Sequence, residues 1–85
     1  MIDSMTKNKA LILAMEECGE LVRACSKVLR HGTERDPKYR KNLIEEIADV
    51  RAMLNILIES YDIDQDVVEV LENQRHLKMS KVNYE

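Results

Sequence analysis

Two stretches of apolar residues spaced by threes and fours, one on each side of a short break, leave this chain little choice but a pair of packed helices. In the first, Leu11, Ala14, Cys18, Leu21, Cys25 and Val28 repeat at the period of a helix face turned to a core. In the second, Leu43, Ile47, Val50, Leu54 and Leu57 do the same. Ser4 or Thr6 is expected to cap the first helix, which runs to about Arg30. His31-Gly32 ends it, with Gly32 suited to the left-handed position past the last turn. Asp36-Pro37 starts the second: Asp caps, and Pro takes the first helical position, where its missing N–H costs nothing. A connection as short as residues 31–36 makes the two helices antiparallel neighbours. Tyr61-Asp62-Ile63 is a second break, and Asp64 can cap a third helix to about Lys81, with Val67, Val68, Leu71 and Leu77 as its apolar positions.

The expected fold is therefore all-α, one domain over residues 1–85: an antiparallel helical hairpin plus a third helix. A chain of this length buries only roughly 60–65% of its unfolded surface, and with no Phe and no Trp its core is limited to Leu, Ile, Val, Met and Ala. A four-helix-bundle-type core is thus expected to be completed by oligomerisation, a second copy covering leftover apolar surface.

The hairpin sets two acidic clusters side by side. Glu17 and Glu20 are three apart on the first helix, Glu46 and Asp49 three apart on the second, so each pair shares a face. The midpoint of the first pair lies about 15 residues before the centre of the loop and that of the second about 14 after it, so at ~1.5 Å per residue they sit at one level. Glu17, Glu46 and Asp49 have no Lys or Arg three or four residues away, and Glu20 has only Arg23. Glu16 with Glu20, and Glu45 with Asp49, are like-charge pairs that cost a helix a few tenths of a kcal/mol each. A solvated acidic face fits this pattern poorly. Half-buried acids without partners are costly, and a cation held by Glu17, Glu20, Glu46 and Asp49 is the simple remedy. All-carboxylate oxygen ligands suit Mg²⁺, with Mn²⁺ as the alternative. Zinc is disfavoured because His31 and His76 stand alone and the cysteines lack ligand spacing, and a di-iron site would need Glu-x-x-His. Mg²⁺ usually keeps positions for water and substrate phosphates, which points to phosphate chemistry.

A net charge of −3 argues against a partner among nucleic acid polymers. No apolar run approaches the roughly 18 residues of a membrane span, and the N-terminus has no signal pattern. Cys18 and Cys25 lie seven apart, about 10 Å along a helix and too far to bridge. Read as free thiols on a buried face, they suit a reducing, cytoplasmic setting. Gly19 sits mid-helix at a cost of about 1 kcal/mol relative to Ala, which suits the close approach of another backbone.

Glu-Glu-x-x-Glu at 16–20, a gap of 25 residues and Glu-x-x-Asp at 46–49 together resemble the MazG-like all-α nucleoside triphosphate pyrophosphohydrolases. The flanking text is similar too: Glu16-Glu17-Cys18-Gly19-Glu20-Leu21, Ser26-Lys27-Val28-Leu29-Arg30-His31-Gly32 and Leu43-Ile44-Glu45-Glu46-Ile47-Ala48-Asp49-Val50. The likeness covers about residues 8–80. It implies hydrolysis of a nucleoside triphosphate to monophosphate and pyrophosphate by water attacking the α-phosphorus. It implies Mg²⁺ on Glu17, Glu20, Glu46 and Asp49, and an obligate homodimer or homotetramer with active sites lined by more than one subunit. Glu17 or Glu16 would take the proton from water as general base. The family's basic pair on the last helix has no fixed register here, where Asn73, Arg75, Lys78 and Lys81 all compete for it.

A triphosphate needs further cations. Lys27 lies two turns past Glu20 on the same face, and Arg30 nearly one turn further, although a cation there also answers the helix dipole. The other loop bases read as solvated. Asn42, one turn before Glu46, is placed to orient a ligand or base. Cys18, Cys25, Met53, Met79 and Tyr61 read as packing, His31 and His76 as surface. Rival readings are a phosphoribosyl-ATP pyrophosphohydrolase, a dUTPase-like enzyme and, from another class, a non-catalytic helical oligomerisation module.

Overall fold

Each helix begins where a side chain can satisfy its free N–H groups. In the computed structural model, which describes residues 6–81, the Thr6 hydroxyl accepts from the Lys9 N–H at 3.2 Å, and helix α1 runs Lys7–His31. Ser4 lies outside the described residues. Asp36 accepts from the Lys38 N–H at 3.0 Å and Pro37 opens α2, Pro37–Ser60. Asp64 accepts from the Asp66 N–H at 2.9 Å and starts α3, Gln65–Met79, two residues short of the expected end at Lys81.

The stops differ in one detail. The Gly32 N–H donates to the Val28 carbonyl at 2.7 Å, as a helix terminator should. Its φ of 73° is positive, and its ψ of −172° lies away from the left-handed helical value. That region is open essentially to glycine alone. A second positive φ, 51°, falls at Asp62 between α2 and α3.

Helices α1 and α2 pack along their length as the antiparallel hairpin, the most extensive helix pairing among the described residues. Both ends are pinned through aromatic rings. His31 stacks on Tyr39 with centroids 4.5 Å apart, and Lys7 Nζ sits 5.3 Å above the Tyr61 ring. Helix α3 borders a cleft of about 410 Å³ against the second half of α2, lined by Arg51, Leu54, Asn55, Ile58 and Val68 among others.

Between those pinned ends the buried apolar residues are three alanines: Ala10, Ala14 and Ala24. The expected apolar faces are therefore only partly covered. Leu21, Val28, Leu43, Val50, Leu57 and Val68 are half-buried, whereas Leu11, Ile47, Leu54, Val67, Leu71 and Leu77 are exposed. Cys18 and Cys25 are exposed as well, which corrects the reading of them as buried and removes the argument from them to a reducing compartment. The reason is geometric: α1 is apolar around much of its circumference, and one neighbouring helix covers only one side. Gly19 meets nothing within 4 Å of an added Cβ, so the close approach expected there does not occur within one chain. No helix among the described residues is long and apolar enough to cross a membrane.

The result is a plate, 43 × 32 × 16 Å. Its radius of gyration, 15.5 Å, exceeds the roughly 12 Å of a compact domain of this length. The accessible surface is 7223 Å², against roughly 5,200 Å² for a compact monomer of this mass, the terminal residues included in the total.

Candidate metal centre

The level-matching of the two acidic clusters is realised. Glu17 from α1 and Glu46 and Asp49 from α2 each offer a carboxylate oxygen, and these atoms lie within 4.8 Å of one another. Glu17 and Glu46 are half-buried against the facing helix, and Asp49 is exposed at the rim.

Glu46 sits at the centre of the group and bears its strain. Its Oε2 is shut away from solvent and no donor reaches it. The carboxyl is pushed above the usual glutamate range, first by burial, then by the charges of Asp49, Glu20 and Glu17, and finally by a hydrogen bond to Asp49. Two carboxylates can share such a bond only when one of them holds a proton. The crowding therefore favours the protonated form of Glu46 over its carboxylate.

Glu20 departs from the expected set. It stands close enough to raise Glu46, but it is not one of the grouped oxygens. Its carboxylate accepts from the Arg23 guanidinium one turn on, as an ion pair. Glu16 is exposed and also lies outside the trio.

The donor set passes a simple fit test for a hard divalent ion. It is all oxygen, it contains an orphaned shielded atom, and it is short of cations. Opposite ligands across Mg²⁺ are about 4.2 Å apart, so small side-chain rotations bring the trio to coordination distance.

Next to the acids, towards the loop, Lys27 joins Lys38, Tyr39 and Asn42 around a cleft of about 370 Å³. On α2, Lys38, Asn42, Glu46 and Asp49 fall within about 80° of arc, and on α1 so do Glu17, Glu20 and Lys27. Acids and amines thus share one flank of the hairpin. Lys38, read from the sequence as solvated, belongs to this surface. It leans on Asp36 at 3.5 Å and over the Tyr39 ring at 5.1 Å. The Lys38–Asn42–Glu46 spacing, four and four, was the signal that could have found it.

The other expected substrate groups are not gathered here. Arg30 is exposed and does not line the cleft. Asn73, Arg75 and Lys78 are exposed on α3, and α3 makes no extensive packing with α1. His76 is paired with Glu72 at 3.6 Å on the same helix.

No model of a known protein family, no curated protein and no solved structure matches this chain.

Proposed function

We propose that the chain is a Mg²⁺-dependent nucleoside triphosphate pyrophosphohydrolase that works as a homodimer or homotetramer. The observation that carries this reading is the convergence of Glu17, Glu46 and Asp49 on one small volume beside a basic cleft. Three acids with one shielded, partnerless oxygen favour a hard cation. An open carboxylate site beside two amines favours a polyphosphate as the remaining ligand. Mn²⁺ would serve the same ligands.

In this reading Glu17, Glu46 and Asp49 hold the metal, and Glu20 joins them by exchanging Arg23 for the ion. An exposed pair of that kind is worth only ~0.3–0.5 kcal/mol, so the exchange is easy. Held by these residues, Mg²⁺ would supply charge to neutralise the triphosphate and would lower the pKa of the attacking water. Glu16, outside the trio, takes the water's proton. The new bond forms between water oxygen and the α-phosphorus, and the α–β bridging bond breaks. Lys27 meets the charge that leaves with pyrophosphate, and Asn42 orients it. A partner subunit brings the α3 residues Asn73, Arg75 and Lys78 to the substrate and completes a four-helix core.

The exposed apolar surface of all three helices also favours a second reading, a non-catalytic helical assembly module. One experiment separates the two. The full chain is incubated with a panel of ribo- and deoxyribonucleoside triphosphates, with phosphoribosyl-ATP included, and pyrophosphate release is followed with Mg²⁺ and with Mn²⁺. The enzyme reading expects release that needs the metal and is lost in Glu46→Gln. No release from any nucleotide with either ion overturns it and leaves the module.

A further inference from the structure

Around α1 the exposed apolar side chains are not scattered. Leu11, Met15, Cys18, Val22, Cys25 and Leu29 follow one another at steps of four, three, four, three and four. That is the a/d spacing of a coiled-coil seam, sustained over three-quarters of the helix. Every member is exposed, with Met15 at 73%, Val22 at 68% and Leu29 at 88%. Ala10, Ala14 and Ala24, buried, and Leu21 and Val28, half-buried, lie on the neighbouring strip of the helix. On the other side the seam is flanked by Ile12, Gly19 and Ser26, none charged and two of them small. Gly19 opens onto empty space.

We propose that this line is the surface on which a second copy of the chain packs, α1 against α1. The occupant is identified by self-complementarity. An apolar a/d line with uncharged flanks carries nothing to repel its own copy, and a helix with the same spacing is what fits its holes. The oligomer proposed above does not say which surface joins the copies; the seam says which. It stands on side-chain positions alone. A chain without nucleotide activity would still pair through it, and an active oligomer whose Val22→Glu variant keeps its mass would refute the seam and spare the activity.

Two readings on the full chain test it. Light scattering should give at least twice the 9.9 kDa chain mass, and Val22→Glu should reduce that mass with helical circular dichroism retained. An aromatic disulfide should react with Cys18 and Cys25 roughly tenfold or more slowly in the associated protein than after dilution to single chains, because the reagent must wait for the seam to open. The thiol rates decide the matter even if Val22→Glu fails to fold. A monomer at every concentration overturns the seam. So does an associated wild type whose cysteines both react as free thiols, or a folded Val22→Glu of unchanged mass.

Discussion

Replacing Glu46 by Gln should have opposite effects on the metal-free and the metal-bound chain. Without metal, Glu46 is a shielded carboxyl surrounded by Asp49, Glu20 and Glu17. The amide removes one member of that repulsion and gives Oε2's neighbours a donor, so the metal-free chain should melt higher than wild type. With metal, the order reverses. A divalent ion at 100 times its Kd stabilises the wild type by ~2.7 kcal/mol through mass action. At roughly 4–8 °C per kcal/mol for a domain of this size, that is a rise of about 10–20 °C. Loss of an outer-shell partner already weakens metal sites by 10–100-fold, so losing a direct ligand should cost about 100-fold. At the same ion concentration the variant then gains only ~0.4 kcal/mol, a rise of about 2–3 °C. The assay is thermal melting by circular dichroism at fixed protein concentration, in Mg²⁺ or Mn²⁺ against Na⁺ of equal ionic strength. A variant that melts lower than wild type without metal, or that gains as much from Mg²⁺ as wild type does, refutes the reasoning.

The same shift fixes a pH dependence. A carboxyl raised in the folded state binds more protons there than in the unfolded chain, so metal-free stability should fall as pH rises above 4.5; urea titrations in chelator should show the slope, and Glu46→Gln should flatten it. Arg23→Gln should change metal-free stability by less than about 0.5 kcal/mol, since the pair with Glu20 is exposed, yet tighten the metal a few-fold in calorimetry by releasing a fourth carboxylate; weaker binding would refute that competition. Lys27→Gln should raise KM for a triphosphate about 10–100-fold, the worth of one charged hydrogen bond, with metal affinity unchanged. Asp36→Ala removes the α2 cap and should lower stability by about 1 kcal/mol, read as a melting shift of roughly 4–8 °C.

The helix ends were legible because they are local chemistry. Thr6, Asp36 with Pro37 and Asp64 each carry the group that a first turn requires. The meeting of Glu17 with Glu46 and Asp49 was legible for a different reason: a short loop fixes the register of two straight rods. The ion pair of Glu20 with Arg23 was not legible, because spacing cannot say which of two neighbours, Arg23 or a shared cation, holds a carboxylate. The cysteines were misjudged because α1 offers two adjacent strips at nearly the same period. Leu11-Ala14-Cys18-Leu21-Cys25-Val28 mixes residues of both, and only the packed hairpin separates them. Lys38 was passed over because a lone cation near a loop gives no periodic signal until Asn42 and Glu46 are placed below it.

The alanines between α1 and α2 carry one further consequence. Ala10, Ala14 and Ala24, at 0, 8 and 1% exposure, are the smallest side chains that could fill the space between two helices, and they act as a gauge block for it. The gap they set is the gap that Asp49, with its short side chain, has to bridge towards Glu17. Widening the gauge at Ala14, three residues from Glu17, spreads the carboxylates without altering any of them. If the proposed metal binds, Ala14→Leu should therefore slacken the grip on it while every acid remains in the sequence, which would make residues that never touch the ion part of its fit.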